Sequence, residues 1–398
     1  MQVKPSPTSP KIKKPDTEKN KGLAQTVKIT VLAVVFGFLS GVLGEIYINT
    51  YLSTPFELPF IGQIQLAEPY APNRELIIRR ENNSTSNMSE DEIVSLAPGL
   101  VSIYELKDNS EENGPAAIYQ VEEQLGHGIF LSNDGWIITD RAVIPTKGDY
   151  VVINNEGQIG QLESILFDPA SDFVLIKSDL ASSHIATLAK SEDVSLGQNA
   201  NLLALNASQI ARHLTLKGTK ITSLDSSLLS GTSQTSEHLA NHWQIDSNFS
   251  DHYSGAAVFN DRGELLGLIN IKNNNSLILP AYYLQTIIRN LGHLEIIKRN
   301  TLGIHYLPVH SAETSFLQTE NFGSYLITST QREEAVTTGS PADKVGLKEG
   351  DLIIKINDEN MSEMRQLNQI IQELEPAAQV TLTIIRNKEE QKIEVTLE

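Results

Sequence analysis

The 398-residue sequence predicts a mainly β protein followed by a small α+β module, with one apolar helix near the N-terminus. Three observations predict it. From Ile93 onward, short apolar runs recur between Gly, Asn and Asp turns. Near the C-terminus a three-to-four-residue apolar rhythm is followed by two alternating strands. Between Lys28 and Glu45 lies a run of sixteen residues without a charge.

Residues 1–26 are rich in Lys, Pro, Ser and Thr, a composition that predicts disorder. The run Ile29 to Gly44 covers about 24 Å as a helix, slightly less than a bilayer core. Val27, Ile46, Tyr47, Ile48 and Tyr51 extend its apolar reach, so 27–49 is expected to be a transmembrane helix. The first 28 residues carry seven Lys against Asp16 and Glu18. Lys on that side predicts a cytoplasmic N-terminus and a body outside the cytoplasmic membrane. A cleaved signal peptide is the competing reading, but no Ala-x-Ala site follows the run. Residues 50–92, with Pro55, Pro59, Pro69, Pro72 and a polar stretch at 82–87, read as a stalk.

The runs 128–131, 136–138, 150–153, 173–176, 202–205, 256–259 and 265–269 read as short strands. Asn133-Asp134-Gly135 and Asp261-Arg262-Gly263 supply glycine turns between them. Many short strands over about 200 residues argue for an all-β barrel or sandwich. Tyr282 to Ile297 reads as one closing helix. The remaining module is expected to carry an amphipathic helix over 361–374, with Asn360 and Glu363 as a capping box. Two strands joined at Arg386-Asn387-Lys388 follow it.

Composition excludes several functions. Net charge is −18, and beyond residue 28 it is −23, which disfavours nucleic acid. There is no Cys, hence no disulfide, thiolate metal site or Cys nucleophile. No acidic or His grouping has metal-ligand spacing, and no phosphate-cradling glycine loop occurs, so no cofactor and no metal are expected.

Several segments, in order, carry a resemblance. Gly126-His127-Gly128-Ile129 runs through a turn into Trp136-Ile137-Ile138-Thr139-Asp140-Arg141-Ala142-Val143-Ile144. Asp168-Pro169-Ala170-Ser171-Asp172-Phe173-Val174-Leu175-Ile176 follows, then Gln244-Ile245-Asp246-Ser247, Tyr253-Ser254-Gly255-Ala256 and Leu279-Pro280. From about Ile93 to Glu398 the chain resembles the high-temperature-requirement (HtrA) family of trypsin-like serine proteases. The resemblance implies a chymotrypsin-like double β-barrel over 93–298 and a PDZ domain over 299–398. It maps the catalytic Asp to Asp172 and the nucleophile to Ser254. The general-base His falls on Ala142, and the oxyanion-hole Gly falls on His252. Serine needs a base to take its proton and N–H donors for the oxyanion, so the resemblance implies a protease fold without its protease. His252 stands near enough in sequence to be weighed as a substitute base. His127 and His242 read as surface or barrel-edge residues.

Gly339-Ser340-Pro341-Ala342 through Gly346-Leu347-Lys348-Glu349-Gly350-Asp351-Leu352-Ile353 resembles the core of a bacterial PDZ domain. That resemblance places a carboxylate-binding loop at Leu302-Gly303-Ile304, with Met364 and Leu367 walling a peptide groove. Successive backbone N–H groups in such a loop suit a terminal carboxylate. The expected function is binding of unfolded or C-terminal peptide segments in envelope protein quality control. The alternatives are an active endopeptidase with a displaced base, and a structural subunit of homo- or hetero-oligomers with active paralogues.

Overall fold

In the computed structural model, the described residues are Phe36, Ser40, 56–58, 62–64, 77–80, 87–107, 118–209, 211–224, 233–239, 241–289, 291, 296–309, 322–328, 333–362 and 365–398. The chain divides into two units, Met1–Arg74 and Glu75–Glu398. In the first, strands β1 (Phe56–Leu58) and β2 (Gly62–Ile64) form an antiparallel pair. The expected membrane segment lies outside the described residues except for Phe36 and Ser40, both helical. No helix among the described residues is long and apolar enough to cross a membrane.

The second unit is mainly β. It opens with β3 (Ile77–Arg80) and helix α1 (Glu90–Leu96). Ser89 caps α1, and Glu92 returns a bond to the Ser89 N–H at 2.7 Å. This is the reciprocal arrangement that satisfies two helix-end donors. Strands β4 (Leu100–Glu105), β5 (Gly126–Phe130), β6 (Trp136–Asp140), β7 (Tyr150–Asn154), β8 (Ile159–Phe167) and β9 (Phe173–Ser178) close into a barrel. Val101, Ile103, Phe130, Ile137, Val152, Val174 and Ile176 fill its interior.

The second barrel comprises β10 (Asn199–Ala207), β11 (Arg212–Ser223), β13 (Trp243–Ile245), β14 (Ala257–Phe259), β15 (Leu265–Lys272) and β16 (Asn275–Pro280). Pairing of β10 with β11 closes it, and β3 adds to β11 in parallel. The short strand β12 (Gln234–Thr235) lies between β11 and β13 in sequence but belongs to another sheet. Ser102 Oγ and Tyr104 Oη reach across from the first barrel to the carbonyls of Leu205 and Ala207, at 2.6 and 2.7 Å. Gly135 and Gly263 take the positive φ expected of the two turns, +100° and +73°.

The closing helix is shorter than its sequence pattern. A 3₁₀ turn over Ala281–Leu284 leads into α2 (Gln285–Arg289), and 297–300 are not helical. Side-chain anchors hold that last stretch. Arg299 forms a two-pronged bond to Asp168 at 2.9 and 2.7 Å, and Asn300 donates to the Ile371 and Leu374 carbonyls.

The final sheet contains β17 (His305–Val309), β18 (Gly323–Leu326), β19 (Leu352–Ile356), β20 (Glu359–Asn360), β21 (Gln379–Arg386) and β22 (Glu389–Thr396). Helices α3 (Pro341–Lys344) and α4 (Leu367–Glu373) pack with it. The amphipathic pattern over 361–374 becomes a helix only from Leu367. Asn360 is in β20, the Met361 N–H bonds to Ile354 O, and Ser362 bridges Arg365. Gln366, not Asn360, makes the capping box, with Gln369. Met361 is thus held by its bond to β19 before the helix starts.

Candidate active cleft and peptide groove

Ser254 follows a 3₁₀ turn over Asp251–Tyr253 and is 4% exposed. The Tyr253 N–H donates to Ser250 O at 2.9 Å and the Ser254 N–H to Asp251 O at 3.0 Å. Gly255 N–H bonds to Ile269 O, and Ala256 N–H to Tyr253 O. Every backbone N–H from Tyr253 to Ala256 is therefore committed inside the fold. An oxyanion needs such donors aimed at the reacting oxygen instead. Gly255, at φ +75°, lies so close to the His127 carbonyl that an added Cβ would stand 2.2 Å from its oxygen.

Among the described residues, no hydrogen bond joins Ser254 Oγ to a ring nitrogen. Ala142 is exposed at the end of β6, and its N–H donates to Asp140 Oδ1 at 2.6 Å. The His252 ring bonds through Nε2 to Asn206 Oδ1 at 2.9 Å. Burial and the Lys217 ammonium lower its pKa. His127 is not at a surface. It is 2% exposed, with Nδ1 3.0 Å from Leu205 O and its ring stacked 6.3 Å from Tyr253. Burial, then the neighbouring His252, pushes it down to about 3, so it is neutral at physiological pH.

Asp172 faces an imidazole and an ammonium. His242 Nε2 stands 3.6 Å from its Oδ2 and Lys272 Nζ 2.5 Å. His242 and Lys272 together hold the Asp172 carboxyl well below the usual carboxylate range. His242, expected at an edge, is 4% exposed. These three, with Arg141, Pro169 and Leu239, line a cavity of about 500 Å³. Asp140, two residues before Ala142, is fully buried between Ala142 N–H and Asn270 Nδ2, and burial raises it to about 6. The structure thus brings Asp172 to a lysine that sequence reasoning missed. Lys272 lies one hundred positions away, and no local signal marks it.

The second candidate site lies between β17 and α4. Leu302 and Ile304 are fully buried, and Gly303 takes φ +81° with Ser340 packed against its α-carbon. Leu367 is buried in the core beneath α4, and Met364 lies outside the described residues. The wall that α4 presents is largely polar. Asn368, Gln369 and Gln372 are each at most 3% exposed, because their amides reach His238 O, Tyr282 Oη, Ser236 O and Asn300 O. The Leu302 and Gly303 N–H groups both donate to Glu237 Oε1, at 3.1 and 2.7 Å.

Residues 126–268 match the trypsin-like peptidase domain family, and residues 334–386 match the PDZ domain family. The chain is 25% identical over 286 residues to a probable periplasmic serine endoprotease, DegP-like, of Bartonella henselae, covering 69% of this chain and 53% of that protein. It is 23% identical over 332 residues to the serine endoprotease DegS of Haemophilus influenzae, covering 79% and 91%. The chain thus spans about half the length of that DegP-like relative. Among solved structures, the HtrA-type protease AlgW with tripeptide superposes with a TM-score of 0.56 at 18% identity, over 77% of this chain and 95% of that one. That likeness is one of fold.

Proposed function

For a chain made of a trypsin-like peptidase domain and a PDZ domain, similar to HtrA-type proteases, we propose that the peptidase domain is silent and the PDZ groove carries the function. The observation that carries this reading is Ala142, a methyl group where a proton acceptor is required. Two more support it. Asp172, whose role would be to orient a base, is paired with Lys272. The N–H groups beside Ser254 are held in a tight turn. Losing one triad member alone costs several orders of magnitude in rate.

The proposed protein binds unfolded or C-terminal polypeptide in the cell envelope through residues 299–398. Residues 93–298 act as its scaffold and as a site for assembly. The periplasmic relatives and the Lys-rich N-terminal segment support a body outside the cytoplasmic membrane, with 27–49 as its anchor. Unfolded casein incubated with the purified chain should stay intact over hours. Cleavage that disappears in Ser254→Ala would establish an active endopeptidase instead.

A further inference from the structure

The open edge of β17 is already occupied by the chain itself. Strand β12 pairs with it antiparallel, Gln234 opposite Tyr306 and Thr235 opposite His305. The pairing continues at Ser236, whose N–H bonds to Ile304 O at 3.1 Å while its Oγ accepts from Ile304 N–H at 3.2 Å. One residue on, the Glu237 carboxylate caps the run by accepting from both Leu302 and Gly303 N–H. The other wall of the groove reads the same segment. Gln372 Nε2 donates to Ser236 O at 3.2 Å, and Asn368 Nδ2 to His238 O at 2.6 Å. Tyr306 Oη donates to Gln234 Oε1 at 3.0 Å. Gln234 and Ser236 are buried by these contacts.

A strand added to a sheet edge, ending in a carboxylate held by consecutive backbone N–H groups, is how a peptide C-terminus is captured. Here the carboxylate belongs to a side chain and the strand to the peptidase domain. We propose that residues 234–238 are a built-in ligand of the PDZ groove, with the Glu237 side chain in the place of a terminal carboxylate. On the reading that this groove binds peptide C-termini, an incoming peptide must displace the segment. Its apparent affinity is then reduced by the fraction of molecules with the groove open. The segment is anchored next to the acid site at its other end, where Leu239 N–H bonds to Ala170 O at 2.7 Å. Release is therefore a local peeling from a fixed point.

The first test needs no ligand. Hydrogen exchange on the full chain should show slow amides at Leu302, Gly303 and Ile304, and at least tenfold faster exchange there in Glu237→Ala. Unchanged exchange in that variant overturns the proposal. The chain has no cysteine, so Thr235→Cys with His305→Cys gives a single lockable pair. The probe is a mixture of decapeptides with free C-termini and an apolar last residue, with its amidated twin as control. Glu237→Ala should bind the acid form at least tenfold more tightly than wild type. The oxidised cysteine pair should not bind it, and reduction should restore binding. Equal binding by wild type, Glu237→Ala and the oxidised pair overturns the built-in ligand and leaves peptide capture standing. Fast exchange in Glu237→Ala with no binding by any form supports the built-in ligand and refutes peptide capture.

Discussion

The cleft at Ser254 and the groove beside β17 have fared differently in one chain. On the proposed reading, function in the cleft depends on side chains, and Ala142 offers no proton acceptor. The polar groups around Ser254 and Asp172 have partners within the fold: Asp172 with Lys272 and His242, His252 with Asn206, Ser254 N–H with Asp251 O. In the groove, recognition depends on main-chain donors, which survive almost any substitution. Leu302 and Gly303 still present paired N–H groups, and they are filled from within. On the proposed reading, catalysis is lost through one side chain, whereas recognition by main-chain donors is controlled by what covers them.

The largest effect should come from breaking what fixes the two regions together. Arg299 and Asp168 form a buried ion pair, 5% and 0% exposed at the side chains, between the approach to the PDZ sheet and the first barrel. Arg299→Met leaves a buried carboxylate without its cation, held only by Ala170 N–H and Ser171 Oγ, and should destabilise the chain by about 3–5 kcal/mol. Urea unfolding measures it, and a loss below 1 kcal/mol would show that the pair is dispensable. Adding Asp168→Leu to that variant should recover part of the loss, since no unpaired charge then remains.

A smaller effect sharpens the groove's side of the comparison. At φ +81°, with an added Cβ 2.2 Å from Ser340 Cβ, Gly303 admits no side chain without shifting the loop. In a Glu237→Ala background, where no built-in carboxylate competes, Gly303→Ala should weaken capture of free C-termini by tenfold or more, about 1.4 kcal/mol. Capture unchanged in isothermal titration would place the carboxylate elsewhere.

The smallest concerns the cleft's titration. Asp140 is raised to about 6 by burial, above its unfolded value of about 4. The native state therefore holds the extra proton between those limits. This group's contribution is fully present below about pH 4 and is lost as pH rises to about 6. Asp140→Asn should remove that downward slope from the stability profile. Asp172 runs the opposite way: its depressed pKa adds stability at neutral pH that disappears as acid protonates it. A profile identical in wild type and Asp140→Asn would mean that Asp140 is ionised across the range.

Much of this was legible in the sequence. The turn glycines 135 and 263 and the barrel strands follow from local patterns. What escaped reading is long-range. Gln234-Thr235-Ser236-Glu237 is a polar run that looks like loop, and its partners are donors about seventy positions away. Asn368, Gln369 and Gln372 look like a solvated helix face, yet they are buried because their amides serve carbonyls of other segments. His127 and His242 escaped for the same reason, since a carbonyl beside one ring and the Asp172 carboxylate beside the other let a polar ring sit inside.

The central claim is that Ser254 is not a nucleophile. A fluorophosphonate probe reports this directly, since it bonds covalently to an activated serine. Intact-mass spectrometry of the full chain after overnight exposure should show no adduct, with an active trypsin-like protease labelled in parallel. An adduct on wild type that maps to Ser254 and is absent from Ser254→Ala would contradict the account.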